Sequence, residues 1–134
     1  MPEVKALIIA DTVLQEKQSN KWSVIGVFDR VAAAVFPTAR PSLGIYVKLA
    51  DVVGKHKVTL EFRDAQDRML NRIEGLEIAA SEKATTLDFG LQTFNLPIPA
   101  PGKYHFVLYI DGELAQMVPI EAMVLPKPPA GPSA

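Results

Sequence analysis

The chain has 134 residues, enough for one domain that buries roughly two-thirds of its unfolded surface without metal or disulfide staples. It contains no cysteine, which excludes disulfides, thiolate metal sites and cysteine nucleophiles and fits a reducing compartment. A formal net charge of −1 with no basic run argues against nucleic-acid binding, whose charge-driven part needs clustered Lys and Arg.

The start, Met1-Pro2-Glu3-Val4-Lys5, lacks a basic region followed by a sustained apolar stretch, so it does not read as a secretory leader. The apolar run Ala6 to Ala10 is far short of the ~20 residues that span a bilayer. The expectation is a cytoplasmic chain with no membrane partner.

Alternation predicts eight strands. The first covers about Val4 to Asp11 and the second about Trp22 to Asp29, with Gln18-Ser19-Asn20-Lys21 as the turn between them. The stretch Arg30 to Val35 reads as a single helical turn at most, within an irregular link that Pro37 and Pro41 keep from becoming a helix. Leu43 to Ala50 and Lys57 to Arg63 are the third and fourth strands. In the third, Leu43, Ile45, Val47 and Leu49 face one way and Lys48 the other. In the fourth, Val58, Leu60 and Phe62 oppose Lys57, Thr59, Glu61 and Arg63, the pattern of a half-buried strand.

Met69 to Ile78 is the fifth strand. Its apolar phase slips by one residue across Gly75, which predicts a β-bulge. The sixth strand runs about Thr85 to Phe94, and Pro97, Pro99 and Pro101 then lead into a closing hairpin. There Tyr104, Phe106, Leu108 and Ile110 alternate with Lys103, His105, Val107 and Tyr109, and Asp111-Gly112 supplies a two-residue loop suited to a type I′ turn. Pro119 cannot donate a ladder hydrogen bond, so the last strand is expected at a sheet edge or to end there. Residues 126–134 form a proline-rich tail expected to be dispensable, leaving residues 1–125 as the domain. The fold class is all-β: an antiparallel two-sheet β-sandwich of about eight strands, immunoglobulin-like or jelly-roll-like.

The segment Val4 to Asp11, the stretch Ser23-Val24-Ile25-Gly26-Val27-Phe28-Asp29-Arg30, the Phe36-Pro37 link, and Pro101-Gly102-Lys103-Tyr104 with its Asp111-Gly112 hairpin resemble a bacterial family of small domains of unknown function. The resemblance spans most of the chain outside the tail. It implies a bacterial, cytoplasmic, β-rich domain and brings no activity with it.

Catalytic chemistry finds little support. His56 and His105 are far apart, neither has a second histidine at metal-ligand spacing, and no serine sits in a recognisable elbow. Asp64 and Asp67 are the only closely spaced turn carboxylates, too few for calcium, and turn aspartates ordinarily bond local backbone. Asp11 and Asp29 end their strands at opposite ends of a hairpin and are not expected to pair. No cofactor or metal is expected.

What stands out is apolar residues on both faces of the first two strands and of the seventh. Leu7, Ile9, Ile25, Val27, Val107 and Tyr109 lie behind the expected core face, where no helix is long enough to cover them. Such a patch marks an association surface. The reading is therefore a non-enzymatic module that associates with itself, as a dimer or higher oligomer, or with another protein. The alternative is a small-ligand or carbohydrate binder using Trp22 and Tyr46, with a hydrolase third.

Overall fold

A computed structural model describes residues 2–81 and 85–126. Among them nine strands form: β1 (Glu3–Gln15), β2 (Trp22–Val27), β3 (Arg30–Ala33), β4 (Thr38–Ala50), β5 (Lys55–Asp64), β6 (Met69–Ala79), β7 (Leu87–Ile98), β8 (Gly102–Ile110) and β9 (Glu113–Val124). They make one sheet of order β2-β1-β4-β7 and a second, curled one of order β3-β9-β8-β5-β6. Beyond Pro126 the proline-rich tail lies outside the described residues.

The count of eight strands and the purely antiparallel arrangement both need correction, for one reason. Arg30–Ala33, expected as a helical turn, is strand β3, and it runs parallel to β9 from Arg30↔Glu121 to Ala33↔Val124. Only Val31 of its four residues is buried, and one inward side chain between exposed neighbours is too short an alternation to detect.

Two strands also run through prolines that the sequence pattern treats as breaks. β4 begins at Thr38 and contains Pro41, but β1 pairs with β4 only from Gly44 onward, so at Pro41 β4 has a neighbour on one side alone. Pro97 lies in β7, which is itself a sheet edge. In both places the missing N–H costs no ladder bond. Pro119 obeys the same rule, since β3 pairs with β9 only from Glu121.

The core fills the space between the sheets. Leu43, Ile45, Val47 and Leu49 of β4 meet Val58, Leu60 and Phe62 of β5 and Phe106, Leu108 and Ile110 of β8, all buried. Each such side chain contributes about 1.5–3 kcal/mol relative to exposure. Phe62 stacks on Tyr104 with ring centroids 5.3 Å apart and touches Phe106 at 4.8 Å. Leu7 and Ile9 belong to this core rather than to a second, outer face. In the ladder they stand opposite Val47 and Ile45, and register fixes the side of the sheet on which they lie.

Local chemistry sets the turns. Asp111 and Gly112 both have positive φ, 53° and 81°, as a type I′ turn requires. The β5–β6 ladder shifts between Val58 and Leu60, opposite the stretch containing Gly75, so the predicted bulge is present. At the corner between β7 and β8, the Tyr104 hydroxyl donates to the Ala100 carbonyl and accepts from the Ala100 N–H at 3.1 Å.

Candidate functional site

β1 changes partner halfway along. It pairs with β4 as far as Ala10↔Gly44, and its far half pairs with β2 as a hairpin, from Ala10↔Val27 to Gln15↔Trp22. That hairpin leans over the outer face of the first sheet, and two glycines make the seat for it. A Cβ on Gly44 would lie 2.7 Å from the Val13 side chain and 2.8 Å from its backbone N. A Cβ on Gly90 would lie 2.6 Å from the Trp22 ring. No real Cβ sits so close, so only glycine admits the hairpin at these points.

Where β1 leaves β4, a side chain takes over its backbone. Gln92 Oε1 accepts from the Val13 N–H at 3.4 Å, and Gln92 Nε2 donates to the Asp11 carbonyl at 3.1 Å and to Ser42 Oγ at 2.6 Å. The Asp11 carboxylate pairs with the Arg40 guanidinium, which lies 4.6 Å from the centre of the Phe28 ring. The root of the hairpin is thereby fixed by an ion pair, a cation–π contact and an amide clamp.

The two residues expected to bind a ligand both lie at Gly90. Tyr46 stands opposite Gly90 in the β4–β7 ladder, and the Trp22 ring lies against Gly90 from above. The Tyr46 hydroxyl donates to Asp88 Oδ2 at 2.6 Å. Burial of the phenol, reinforced by that bond and by the carboxylate charge, pushes its pKa up to about 12, so it remains a donor. Trp22 is half-buried by this packing.

The expected interface residues separate by burial into three groups. Leu7 and Ile9 are core, and Val107 is 2 % exposed on β8, opposite Glu61 of β5 and Met117 of β9. Buried in their own chain, these three are unavailable to a partner. Tyr109 is half-buried on the outer face of β8. Ile25 and Val27, by contrast, are 55 % and 67 % exposed. Leu14, which the sequence reading missed by ending the first strand at Asp11, joins them at 43 %. The pairs Ala10↔Val27, Thr12↔Ile25 and Leu14↔Ser23 put all three on the hairpin face turned away from the sheet. Continued alternation through Thr12, Val13 and Leu14 was the available sequence signal.

The polar side chains are committed to structure. His56 Nδ1 bonds Asp111 Oδ2 at 2.6 Å and Nε2 bonds the Val53 carbonyl at 2.7 Å, leaving no free ring nitrogen for proton transfer. Asp64 Oδ1 accepts from the Gln66 and Arg68 N–H groups at 3.0 and 2.9 Å, and Oδ2 accepts from Arg68 Nε at 2.8 Å. The Arg68 N–H, first among these, holds the Asp64 carboxyl below its usual value. Glu61, buried on the outer face of β5, takes two bonds from Arg63 through Nε and Nη2 at 2.9 and 2.7 Å, with Arg72 Nε 3.6 Å away. Asp29 pairs loosely with Arg30 at 3.9 Å, and its carbonyl accepts from the Glu121 N–H. Among the described residues no three His, Cys, Asp or Glu side chains are grouped to hold a metal ion.

Residues 5–123 match the model of a family of unknown function, DUF6941. None of the curated proteins matches the chain. Among solved structures, Pseudomonas fluorescens alkylpurine DNA glycosylase AlkC, bound to DNA containing an abasic site analog, superposes with a TM-score of 0.54 at 8% identity. The match covers 90% of this chain and 30% of the glycosylase chain, and the likeness is one of fold alone. An immunoglobulin-like protein from Pseudomonas aeruginosa has a TM-score of 0.44 at 14% identity, covering 91% of this chain and 96% of that one.

Proposed function

The chain belongs to the DUF6941 family of unknown function, and from that premise we propose that it is a non-catalytic protein-association module. The observation that carries this is the apolar outward face of the β1–β2 hairpin, where Leu14, Ile25 and Val27 are 43 %, 55 % and 67 % exposed. Leaving such surface in water costs roughly 25 cal/mol for every Å² of it. The hairpin is anchored through Gly44, Gly90, Gln92 and Asp11, so it presents this face as a fixed surface and not as a loose flap. Self-association comes first, as a dimer or higher oligomer, with another protein as the alternative partner.

The architecture we propose is an immunoglobulin-like sandwich. It is supported by the order β9-β8-β5-β6, the short β3 parallel to β9, and the Tyr104 hydroxyl bonded back to Ala100 at the start of β8. A non-enzymatic role is supported by His56, Asp64 and Glu61, whose bonding capacity is taken up by neighbours. A cytoplasmic setting agrees with the absence of cysteine, and no helix among the described residues is long and apolar enough to cross a membrane.

A second reading, binding of a small ligand or carbohydrate, is favoured by the placement of both Trp22 and Tyr46 at Gly90, with the Tyr46 hydroxyl bonded to Asp88.

Sedimentation equilibrium over the micromolar range tests association. The wild type is expected to self-associate, and Ile25→Lys combined with Val27→Lys to leave a folded monomer. A wild type monomeric throughout, or a double variant that associates equally well, overturns the proposal.

A further inference from the structure

We propose that Asp111-Gly112 is a latent modification site, where aspartate converts to isoaspartate through a cyclic imide, and that His56 and the Lys57 backbone hold it closed.

The conversion begins when the backbone nitrogen of the following residue attacks the aspartate Cγ. An N–C bond forms and a C–O bond breaks. The carboxyl OH and the amide proton leave together as water, and a five-membered imide remains. Water then opens the ring. Cleavage at Cγ restores aspartate, whereas cleavage at the backbone carbonyl carbon leaves the chain running through Cγ, one methylene longer. The reactive carboxyl is the protonated one, because a bare oxide is a poor leaving group. Glycine is the most permissive neighbour, since no Cβ hinders its nitrogen. Asp111 is the only aspartate in this chain followed by glycine, and no asparagine is so followed.

The dipeptide lies in an exposed turn, yet the fold opposes the reaction. Asp111 Oδ2 accepts from His56 Nδ1 at 2.6 Å and Oδ1 accepts from the Lys57 N–H at 2.9 Å, so both oxygens are tied to β5. His56 is itself fixed through Nε2 by the Val53 carbonyl at 2.7 Å. Ring closure needs Cγ to swing onto the Gly112 nitrogen, and both carboxylate bonds must break first. The backbone is equally constrained. The Asp111 N–H donates to the Lys57 carbonyl at 2.8 Å, and the φ of 53° belongs to the type I′ turn. The bond from His56, then that from Lys57, lowers the Asp111 pKa below 3.8 and keeps the carboxyl in its unreactive, ionised form. An extra methylene here would fall between β8 and β9, in the turn that sets the register of Tyr104, Phe106, Leu108 and Ile110.

The test is to hold folded wild type, His56→Ala, His56→Gln and Val31→Ala at pH 6, beside wild type unfolded in guanidinium chloride. Isoaspartate at position 111 is then followed by electron-transfer mass spectrometry of the peptides. Val31 is buried in β3 at the far end of β9, so Val31→Ala lowers stability without touching the turn. The unfolded chain should convert fastest and folded wild type slowest. His56→Ala should convert about ten-fold faster than wild type, the lower limit for losing a charge-assisted hydrogen bond. His56→Gln, whose amide can still donate to Asp111, should fall between them, and Val31→Ala should stay close to wild type. An unfolded chain that forms no isoaspartate at position 111 overturns the site. Folded wild type converting as fast as the unfolded chain overturns the protection. His56 variants no faster than wild type, or no faster than Val31→Ala, overturn the role of His56.

Discussion

His56 bridges two loops: its Nδ1 lies 2.6 Å from Asp111 Oδ2 and its Nε2 lies 2.7 Å from the Val53 carbonyl oxygen. A carbonyl can only accept, so Nε2 carries a proton. The Asp111 carboxylate accepts at Nδ1, so the two acceptors favour the imidazolium over the neutral ring. The bond to Asp111, then the bond to Val53, raise the His56 pKa above its ordinary 6.5. The bond from His56 likewise lowers Asp111 below 3.8.

A pH dependence of stability follows from these two directions. The stability due to His56 is fully present below pH 6.5 and is lost as pH rises through the elevated folded value. The stability due to Asp111 is present above pH 3.8 and is lost as pH falls through the depressed folded value. The bridge therefore stabilises most between those limits. His56→Gln should lower the melting temperature at pH 6 and make progressively less difference toward pH 9. A gap between wild type and variant that stays constant over that range would exclude the ionic bridge.

The same turn gives a test of backbone conformation. Gly112 sits at φ 81°, and a β-branched residue there is strained by ~1–2 kcal/mol. Asp111 shares the turn at φ 53° and also accepts from the Lys57 N–H, so a distorted turn disturbs the His56 bridge as well. Gly112→Val is expected to shift the chemical-denaturation midpoint downward by at least this strain. An unchanged midpoint would show that the loop relaxes freely.

Where one strand keeps one face inward, its residues alone reveal it, as Val58, Leu60 and Phe62 of β5 do by strict alternation. The Asp111-Gly112 turn and the Gly75 bulge were equally legible, because each is a local backbone requirement. The partner change of β1 was not. Leu7 and Ile9 alternate with Ile8 and Ala10, and all four are apolar, so alternation alone cannot say which pair meets the core. That choice comes from the pairing of β1 with β4, a contact between residues some 40 positions apart. Gly44 and Gly90 read in sequence as isolated strand glycines. Their purpose, to seat Val13 and Trp22, appears only when the hairpin is folded across them.

Gly90 is accordingly the position at which the seating of the hairpin can be tested with least disturbance. A methyl group there points at the six-membered ring of Trp22 and at Val13, and both must retreat. Retreat separates the hairpin from its seat, exposes Trp22 and strains the Gln92 clamp on the β1 backbone. The core between the sheets is untouched, because Gly90 faces outward while Phe89 and Leu91 face in, opposite Val47 and Ile45. Gly90→Ala should thus cost about 1–3 kcal/mol, the usual penalty for overpacking a tight contact. Trp22 is the only tryptophan, so its emission reports the site directly and should shift to longer wavelength as water reaches the ring. Gly54→Ala serves as a control for loss of glycine without a clash, since a Cβ there meets nothing within 4 Å although its φ of 75° adds local strain. It should lower stability without moving the emission. An emission maximum unchanged in Gly90→Ala would mean that the hairpin does not rest on Gly90, and the fixed presentation of Leu14, Ile25 and Val27 would lose its basis.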